Sequence, residues 1–441
     1  MTPPTLTSGT RTGPAIPGSA PAALRRLKRL RRPPVIALTA LTALWIVTRA
    51  LMLWLVTHDE SRWLGGGGVA REVHHLYQRW SEVLLHGGFP VGDQLWQYPP
   101  GAGAVLLLPA LLPGPTYFQG FVLLALAADA VVALAVLGAG MRKGRSALGA
   151  LFWVAGLPLL LHLPMARYDL PATALAVLSL LTLTRSTRAC GAFAAVGALV
   201  KVWPALVLLG TPKGRSSKEI WTSAAVTATA LLALLTAFFT HPFDFLRQQS
   251  GRGVQIESLG GTALALASRA GWPGKARHQY GAMEFTGPYV RQVAMVSMVL
   301  TVAAFGLLVL WRLRARRWTE ATPYDAALAA VLLFTVTSRV ISPQYMIWLV
   351  GLAAVCLTSR HTTQRPVAAL LMAATALSTV AYPAFYGEVI RCTWAGCLLM
   401  VVRNGLLAAA AALSFVRLWR AAGAPRTVAP RTVERPSEGE T

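Results

Sequence analysis

The chain has 441 residues, of which 55% are hydrophobic and only 13% are charged. A soluble protein carries roughly 25% charged residues, so this composition excludes an ordinary soluble enzyme. Long apolar runs recur along the chain and are continuous rather than alternating, which predicts an all-α polytopic membrane protein and not a β-barrel. The formal net charge of +24 does not indicate nucleic-acid binding, because most basic residues lie in short segments between apolar runs, as in cytoplasmic loops.

The N-terminal segment, residues 1–33, is predicted to be disordered and cytoplasmic. It is rich in Pro, Ser, Thr and Gly, and it ends in a basic run from Arg25 to Arg32, directly before the first predicted span at 34–56. Positive residues beside a first span keep that end in the cytoplasm. The stretch that follows, 57–100, is therefore predicted to be a large first extracytoplasmic loop.

This first loop combines an acidic residue with aromatic residues. Glu72 is followed by Tyr77 and Trp80, whose rings lie near one face if the segment is helical. The Glu72 carboxylate is a candidate general base for a sugar hydroxyl, and the two rings are candidates for binding the apolar face of a sugar. The alternative interpretation is a solvated carboxylate beside aromatic residues of the membrane interface.

The next apolar piece, 101–113, is too short to cross a membrane comfortably and is expected at the interface. Three spans follow, predicted at 116–139, 146–163 and 170–184. Asp169 lies at the extracytoplasmic turn between the last two of these spans. It is predicted either to bind substrate or to cap the helix that follows, and the two roles are compatible.

The apolar stretch 190–211 is basic at both ends, with Arg188 on one side and Lys213 on the other. Positive flanks place both ends in the cytoplasm, and a stretch of this length cannot make two full crossings. Lys201 and Pro204 interrupt it. We therefore predict a re-entrant pair of short helices with Lys201 at the tip, buried in protein. One ordinary span with a snorkelling lysine is the alternative.

Six further spans are predicted, which gives about ten spans in a transmembrane domain at 34–417. These spans lie at 219–239, 291–311, 324–338, 344–358, 366–382 and 396–417. The segments predicted to be inside are basic and those predicted to be outside hold most of the acids, so both ends of the chain are expected in the cytoplasm. The C-terminal tail, 418–441, has low complexity and is predicted to be disordered.

Two more extracytoplasmic segments contain candidate binding residues. Arg252 lies between glycines in a long loop that also holds Glu257, and Arg339 precedes Gln344 and Tyr345 where two spans meet. An arginine near the membrane surface suits a phosphate, since guanidinium and phosphate pair bidentately. The alternative for the long loop is an ordinary surface that binds lipid headgroups, while Arg339 at its depth needs an anionic partner or snorkels.

Other polar and sulfur-containing residues are interpreted as structural. Asp129, Arg403 and Asn404 lie inside apolar spans, where pairing within the bundle is expected. Cys392 and Cys397 share one predicted outer loop, either as a disulfide or as two unrelated apolar side chains. The sequence has no nucleotide-binding or zinc motif and no Asp-x-Asp motif, so we predict neither a metal nor a cofactor. An extracytoplasmic site has no nucleotide sugars, so a sugar donor there would be lipid-linked.

The ordered set of motifs resembles the bacterial polyprenol-phosphate-mannose-dependent alpha-mannosyltransferases, glycosyltransferase family 87 of the GT-C superfamily. The resemblance covers about 34–417 and rests on the order and spacing of short motifs. These motifs are acid-Val…Tyr-x-x-Trp and Gly-x-x-Pro…Tyr-Pro-Pro in the first loop, the Asp169 turn, Lys201-x-x-Pro204 and Ser342-Pro-Gln-Tyr-x-x-Trp348. The first-loop catalytic acid of the family is usually Asp, and Glu72 occupies the matching position here.

The resemblance implies a GT-C-type helix bundle in the cell membrane, with an external active site, a lipid-phosphate sugar donor, an inverting reaction and no required metal. We therefore predict a glycosyltransferase that moves a hexose, with mannose as the family's sugar, from polyprenyl phosphate to a glycolipid or glycan acceptor. Glu72 is the predicted base, and Lys201, Arg252 and Arg339 are predicted to hold the donor phosphate. A lipid or glycan flippase and a non-catalytic cell-envelope assembly factor are the alternative classes.

Overall fold

The computed structural model describes residues 35–61, 64, 68–249 and 252–423. In this part of the chain the fold is a bundle of α-helices with one small antiparallel sheet. The segments predicted to be disordered at the two ends lie outside the described residues, except for the first part of the predicted tail.

The first part of the bundle precedes the sheet. It comprises α1 (Val35–Thr57), α2 (Gly68–Arg71, continued by the π-helix Glu72–Tyr77 and by Gln78–Leu85), α3 (Gly101–Leu107), α4 (Tyr117–Gly140), α5 (Leu148–Gly156), α6 (Asp169–Thr182), α7 (Thr187–Val200) and α8 (Arg215–Phe238). Short 3₁₀ helices extend or link these helices at Leu108–Leu111, Leu157–Leu160, Leu163–Ala166 and Trp203–Gly210.

The second part begins with the sheet and its flanking helices. It comprises α9 (Phe245–Gln249), β1 (Val254–Gln255), α10 (Leu259–Arg269), β2 (Lys275–Gln279), β3 (Ala282–Thr286), α11 (Val290–Arg314), α12 (Thr322–Thr337), α13 (Tyr345–Leu357), α14 (Arg365–Thr379, continued by the π-helix Val380–Ala384), α15 (Tyr386–Ile390) and α16 (Trp394–Gly423). Strand β3 lies between β1 and β2, and both pairings are antiparallel.

Six of the described helices are long and apolar enough to cross a membrane, namely α1, α4, α8, α11, α16 and α14 with its π-helical continuation. Each coincides with a predicted span to within a few residues. The other four predicted spans coincide with α5, α6, α12 and α13, which are apolar but shorter. Six of the ten predicted spans are therefore long enough to cross a membrane, and the other four are shorter apolar helices. Helix α16 also continues beyond the predicted end of its span, to Gly423.

The most deeply buried helices are α12 and α13, while α8 and α11 are peripheral. Almost every residue from Met346 to Leu357 is inaccessible, whereas only 6% and 17% of the apolar windows of α8 and α11 are buried. Peripheral helices that expose continuous apolar faces are what a bundle dissolved in lipid presents. The protein is an all-α polytopic membrane protein, as predicted.

A buried ion pair ties α1 to α4 in the apolar interior. Arg49 donates to both carboxylate oxygens of Asp129, at 2.9 and 2.8 Å, and the indole nitrogens of Trp45 and Trp153 each donate to one of them at 2.8 Å. Each oxygen of Asp129 thus has two donors, which offsets the cost of burying the charge. This confirms the structural interpretation of Asp129.

The interrupted stretch between α6 and α8 is a hairpin. Helix α7 ends at Val200, Lys201 follows in extended conformation, and the chain returns as the 3₁₀ helix Trp203–Gly210. Both ends of this hairpin lie beside the first turns of α8, because Thr187 donates to Glu219 at 2.9 Å and the 3₁₀ helix leads directly into α8. The predicted break at Lys201 is confirmed, and a single through-going helix is not what forms.

Arg403 and Asn404 in α16 hold the loop between β1 and α10. Arg403 Nη1 and Asn404 Nδ2 donate to the main-chain oxygen of Glu257 at 3.0 and 3.1 Å. Arg403 Nε also donates to Ser378 of α14 at 3.0 Å. These bonds confirm the structural role predicted for both residues, and they hold a loop that lies behind one wall of the site described next. All four cysteines of the chain are free thiols.

Candidate active site

A cavity of about 490 Å³ lies at the end of the bundle where the Lys201 turn meets α2, the start of α6 and the start of α13. Its polar and aromatic lining includes Glu72, Tyr77, Gln97, Tyr98, Tyr168, Asp169, Lys201, Arg252, Tyr280, Arg339, Ser342, Gln344, Tyr345 and Trp348. Eight of the ten residues predicted as catalytic or substrate-binding therefore line one cavity, although they come from segments spread over most of the chain. The exceptions are Trp80 and Glu257.

Glu72 begins the π-helical part of α2, and its side chain is 35% exposed. Arg167 Nη2 donates to Glu72 Oε1 at 3.0 Å, and the Tyr77 hydroxyl lies 3.3 Å from Oε2. Arg167 is itself nearly inaccessible and donates through Nη1 to the main-chain oxygens of Val69 and Ala166. The guanidinium is thus anchored on two sides, so it fixes the direction in which the Glu72 carboxylate points into the cavity.

Tyr77 and Trp80 stack on each other as the helical spacing predicts, with ring centroids 5.8 Å apart. Trp80, however, is 1% exposed, and its indole nitrogen donates to Asp93 at 2.9 Å. Its ring packs edge-on against Trp96 and Tyr98 behind the cavity wall. Trp80 therefore supports the wall, and the ring that lines the cavity there is Tyr98.

Tyr98 belongs to the Tyr-Pro-Pro end of the first loop, which sequence reasoning noticed without assigning a binding role. Its ring packs edge-on against Tyr168, with centroids 4.9 Å apart. Burial and the nearby Glu72 carboxylate raise the pKa of the Tyr98 phenol, so it stays protonated at neutral pH. Tyr98 is consequently available in the cavity as a hydrogen-bond donor near the candidate base.

Asp169 lies at the first position of α6 and does not cap its own helix. Its Oδ1 atom accepts from Lys201 Nζ at 2.5 Å and from the indole nitrogen of Trp348 at 2.6 Å. Lys201 also lies over the rings of Tyr168 and Trp348, 4.4 and 5.1 Å from their centroids. The hairpin tip is therefore locked to the start of α6 and to α13 by one buried carboxylate.

Arg252 and Arg339 form the cationic part of the cavity. Arg252 Nε donates to Glu284 Oε1 in β3 at 3.0 Å, and Glu284 Oε2 accepts from the main-chain nitrogen of Gly253 at 2.8 Å. The main-chain nitrogen of Gln255 in β1 donates to the main-chain oxygen of Arg339 at 3.0 Å. The small sheet thus brings the two arginines, predicted from distant segments, to the same side of the cavity.

Family membership follows from comparison with known sequences. A model of glycosyltransferase family 87 matches residues 96–343, which is more than half of the chain. The chain belongs to glycosyltransferase family 87. The matched range contains Asp169, Lys201, Arg252 and Arg339, whereas Glu72 precedes it. No curated protein matches the chain. Membership of family 87 and the apolar helix bundle together establish a membrane glycosyltransferase.

Glu257 is the second predicted binding residue that does not line the cavity of this family 87 glycosyltransferase. Its side chain is 2% exposed, and Gln255 Nε2 donates to it at 3.2 Å. Burial raises the pKa of the Glu257 carboxyl from its ordinary value of 4.5 to about 7, although Arg403 opposes this. Gln255 also contacts Ser342, a residue of the cavity lining, at 3.3 Å. Glu257, predicted as a substrate-binding residue, therefore lies behind the lining and reaches it through Gln255.

Sequence reasoning did not select Arg167, Tyr168, Trp348 or Glu284 as parts of the site. Arg167 and Tyr168 directly precede Asp169, so their position in the predicted turn was the available signal. Trp348 closes the motif that begins at Ser342. Glu284 carried no local signal, because it contacts Arg252 only through the pairing of β1 with β3. In the described part of the chain no group of three or more His, Cys, Asp or Glu residues is placed to hold a metal ion.

Proposed function

We propose that this glycosyltransferase moves a hexose, with mannose as the sugar, from polyprenyl phosphate to a hydroxyl of a glycolipid or glycan acceptor, with inversion, on the extracytoplasmic face of the cell membrane. The observation that carries the proposal is a single cavity that holds an anchored carboxylate, Glu72, together with two arginines, Arg252 and Arg339. A general base and a cationic phosphate site are the two parts that this reaction needs from a protein.

The chemistry divides between these two parts. Glu72 takes the proton of the acceptor hydroxyl as its oxygen bonds to C1 of the hexose. The bond from C1 to the phosphate oxygen breaks, and its electron pair leaves with polyprenyl phosphate. Arg252 and Arg339 stabilise the charge that grows on the phosphate, since preorganised cations are most effective where charge develops. Arg167 keeps the Glu72 carboxylate oriented through its bond of 3.0 Å.

The charge of the cavity supports a phosphodiester as the donor. Two carboxylates, Glu72 and Asp169, and three cations, Lys201, Arg252 and Arg339, line it, so the lining has one excess positive charge. A hexose linked to a lipid through a phosphodiester carries one negative charge. Such a donor neutralises the cavity, whereas a nucleotide sugar brings more negative charge than these cations balance.

The apolar part of the lining supports a lipid as the carrier. Val202, Phe245, Leu246 and Phe334 border the cavity on the side of the hairpin tip. Val202 and Leu246 expose 63% and 59% of their surface, so the cavity has an exposed apolar rim. A substrate with a charged head and a hydrocarbon chain meets complementary surfaces on both parts of the cavity.

The test is a transfer assay with membranes containing the protein, radiolabelled polyprenyl-phosphate mannose and extracted glycolipid acceptors. We expect transfer by the wild-type protein and loss of transfer in Glu72→Gln. Glu82→Gln is the matched control, because Glu82 lies on α2 as well but is exposed and outside the cavity; it should retain full activity. Wild-type membranes that do not use any polyprenyl-phosphate hexose would contradict the proposal.

A further inference from the structure

Two buried aspartates of this bundle differ in how their carboxylates are satisfied. Asp129, between α1 and α4, has two donors on each oxygen. Asp169, which is equally inaccessible, has two donors on Oδ1, from Lys201 and Trp348, but Oδ2 has no hydrogen-bond partner within the described part of the chain. A carboxylate oxygen buried without a donor is costly and needs a specific reason.

A second orphan polar atom lies on the same wall. The hydroxyl of Tyr168, the residue before Asp169, is buried and also without a partner among the described residues. Both side chains line the cavity. Asp169 Oδ2 only accepts hydrogen bonds, and the Tyr168 hydroxyl both donates and accepts. The two atoms together therefore match hydroxyl groups on an uncharged part of a ligand. A phosphate does not suit this wall, because it would meet the carboxylate oxygen with like charge.

Neighbouring side chains hold Asp169 in place rather than compete for its free oxygen. Lys201 is bonded to Oδ1 at 2.5 Å and enclosed by the rings of Tyr168 and Trp348. Trp348 stacks on Trp203 and on Tyr345, with centroid distances of 5.2 and 3.9 Å. This stack directs the indole nitrogen of Trp348 at Oδ1. The orientation of Oδ2 is therefore set before a ligand enters, which is how a site discriminates between hydroxyl positions.

We propose that Asp169 Oδ2 and the Tyr168 hydroxyl recognise hydroxyl groups of the hexose on the lipid-linked donor, and thereby select the sugar. Lys201 and Trp348 are positioning residues for Asp169, and Lys201 is not a ligand of the phosphate. Tyr345 is partly exposed at the cavity surface and offers its ring to the apolar face of the sugar. The inference rests on the proposed function, because it assumes a phosphate-linked hexose as the donor.

Selection follows from the cost of unmet hydrogen bonds. A donor that lacks the hydroxyl facing Asp169 leaves a buried carboxylate oxygen unsatisfied, whereas the correct donor gains a charge-assisted bond. We expect the missing hydroxyl to weaken binding on the order of 10- to 100-fold. Loss of a hydroxyl elsewhere on the sugar should change the affinity by about threefold or less.

The experiment measures the affinity of purified protein for a short-chain prenyl-phosphate mannose and for its monodeoxy derivatives, followed by intrinsic tryptophan fluorescence. Asp169→Asn keeps an oxygen for Lys201 and Trp348 but replaces Oδ2 by an amide nitrogen that cannot accept a hydrogen bond. In the wild type, one derivative should bind 10- to 100-fold more weakly than the parent. In Asp169→Asn this difference should shrink to about threefold or less, because the parent has lost the same bond.

Two further variants make the result decisive. Tyr168→Phe removes a hydroxyl that has no partner in the described protein, so this variant should fold normally. Its affinity for the parent compound should be several-fold lower than that of the wild type. Its affinity for the derivative that lacks the hydroxyl facing Tyr168 should be unchanged. Asp325→Asn is the control, since Asp325 is a buried aspartate whose two oxygens already accept from Thr362 and Thr363. It lies at the opposite end of α12 from the cavity and should leave the whole affinity series unchanged.

The outcomes separate the inference from the proposed function. The proposed sugar contact is wrong if all derivatives bind the wild type equally. It is also wrong if the affinity differences among the derivatives in Asp169→Asn and in Tyr168→Phe are the same as in the wild type. In both cases a phosphate-linked donor stands. If the parent compound itself does not bind the wild type, the donor class is wrong, and the inference fails together with the proposed function.

Discussion

Replacing Glu72 by glutamine is expected to slow hexose transfer by ~100- to 10,000-fold while leaving donor affinity nearly unchanged, because a general base contributes about this much to rate. The amide oxygen can accept from Arg167 in place of Oε1, and the amide nitrogen can donate to the Tyr77 hydroxyl in place of Oε2, so the two contacts at 3.0 and 3.3 Å survive in weaker form. Glu72 is 35% exposed but Arg167 is nearly inaccessible, so losing the carboxylate charge leaves a buried guanidinium without its counter-ion and should reduce the free energy of unfolding by about 1–3 kcal/mol.

The measurement is the initial rate of transfer from radiolabelled polyprenyl-phosphate mannose, together with the donor dissociation constant and the thermal unfolding midpoint of the purified variant. Glu72→Asp is the sharpest comparison. The shorter side chain withdraws the carboxylate by about 1 Å, enough to affect catalysis when a group must be held in register. Full activity of Glu72→Asp would agree with the aspartate that the family usually has at this position. Equal rates for glutamate, glutamine and aspartate would refute the assignment of Glu72 as the base.

Three other predictions concern the phosphate site, the hairpin and a buried acid. Arg252→Gln should weaken donor affinity as well as turnover by about tenfold or more, whereas Arg277→Gln on the exposed face of β2 should change neither; unchanged donor affinity in Arg252→Gln would remove it from the phosphate site. Reporter fusions after Thr187 and after Ser216 should both read cytoplasmic, and opposite readings would contradict a re-entrant hairpin. Burial raises the pKa of Glu257 to about 7, so the unfolded state loses this proton at a lower pH than the folded state, and part of the stability should be lost as pH rises from about 4.5 to 7. Thermal unfolding measured against pH should show this decline in the wild type but not in Glu257→Gln. Identical profiles for the two proteins would contradict the prediction.

Hydropathy and charge predicted most of the helix positions, because a lipid-exposed helix such as α8 or α11 must be continuously apolar. The predicted bounds of α12 and α13 agree with the helices to within two residues. Both helices are shorter than a full crossing requires, since they are buried in protein and need not match the thickness of a membrane. The break at Lys201 was predictable for a different reason. A lysine and a proline inside an apolar run that is basic at both ends conflict with a single crossing, and the hairpin resolves this conflict.

The sequence predicted many of the residues that line the cavity, but not which of them bond to each other. Asp169 and Arg339 lie at turns that the charge pattern assigns to one side of the bundle, so their convergence follows from topology. Lys201 was predicted at a buried hairpin tip, and the structure shows that this tip reaches the same cavity. Which of these side chains bond to each other does not follow from topology. Lys201, for example, was predicted as a phosphate ligand with no indication that it bonds Asp169. Only the packed hairpin shows that its tip ends beside α6. Sequence spacing carries no information about a contact between distant turns.

The contact between Glu72 and Tyr77 shows how a local departure from regular helix geometry shapes the site. In an α-helix, residues five positions apart point about 140° away from each other, so a regular helix would separate these side chains. The π-helical segment Glu72–Tyr77 widens the turn, and the Tyr77 hydroxyl then lies 3.3 Å from the Glu72 carboxylate. The same segment directs Glu72 at Arg167. Arg167 and Tyr77 thus orient the predicted base from two sides, and they do so through a π-helical segment that the periodicity of the sequence does not predict. Such π-helical turns occur often at functional sites.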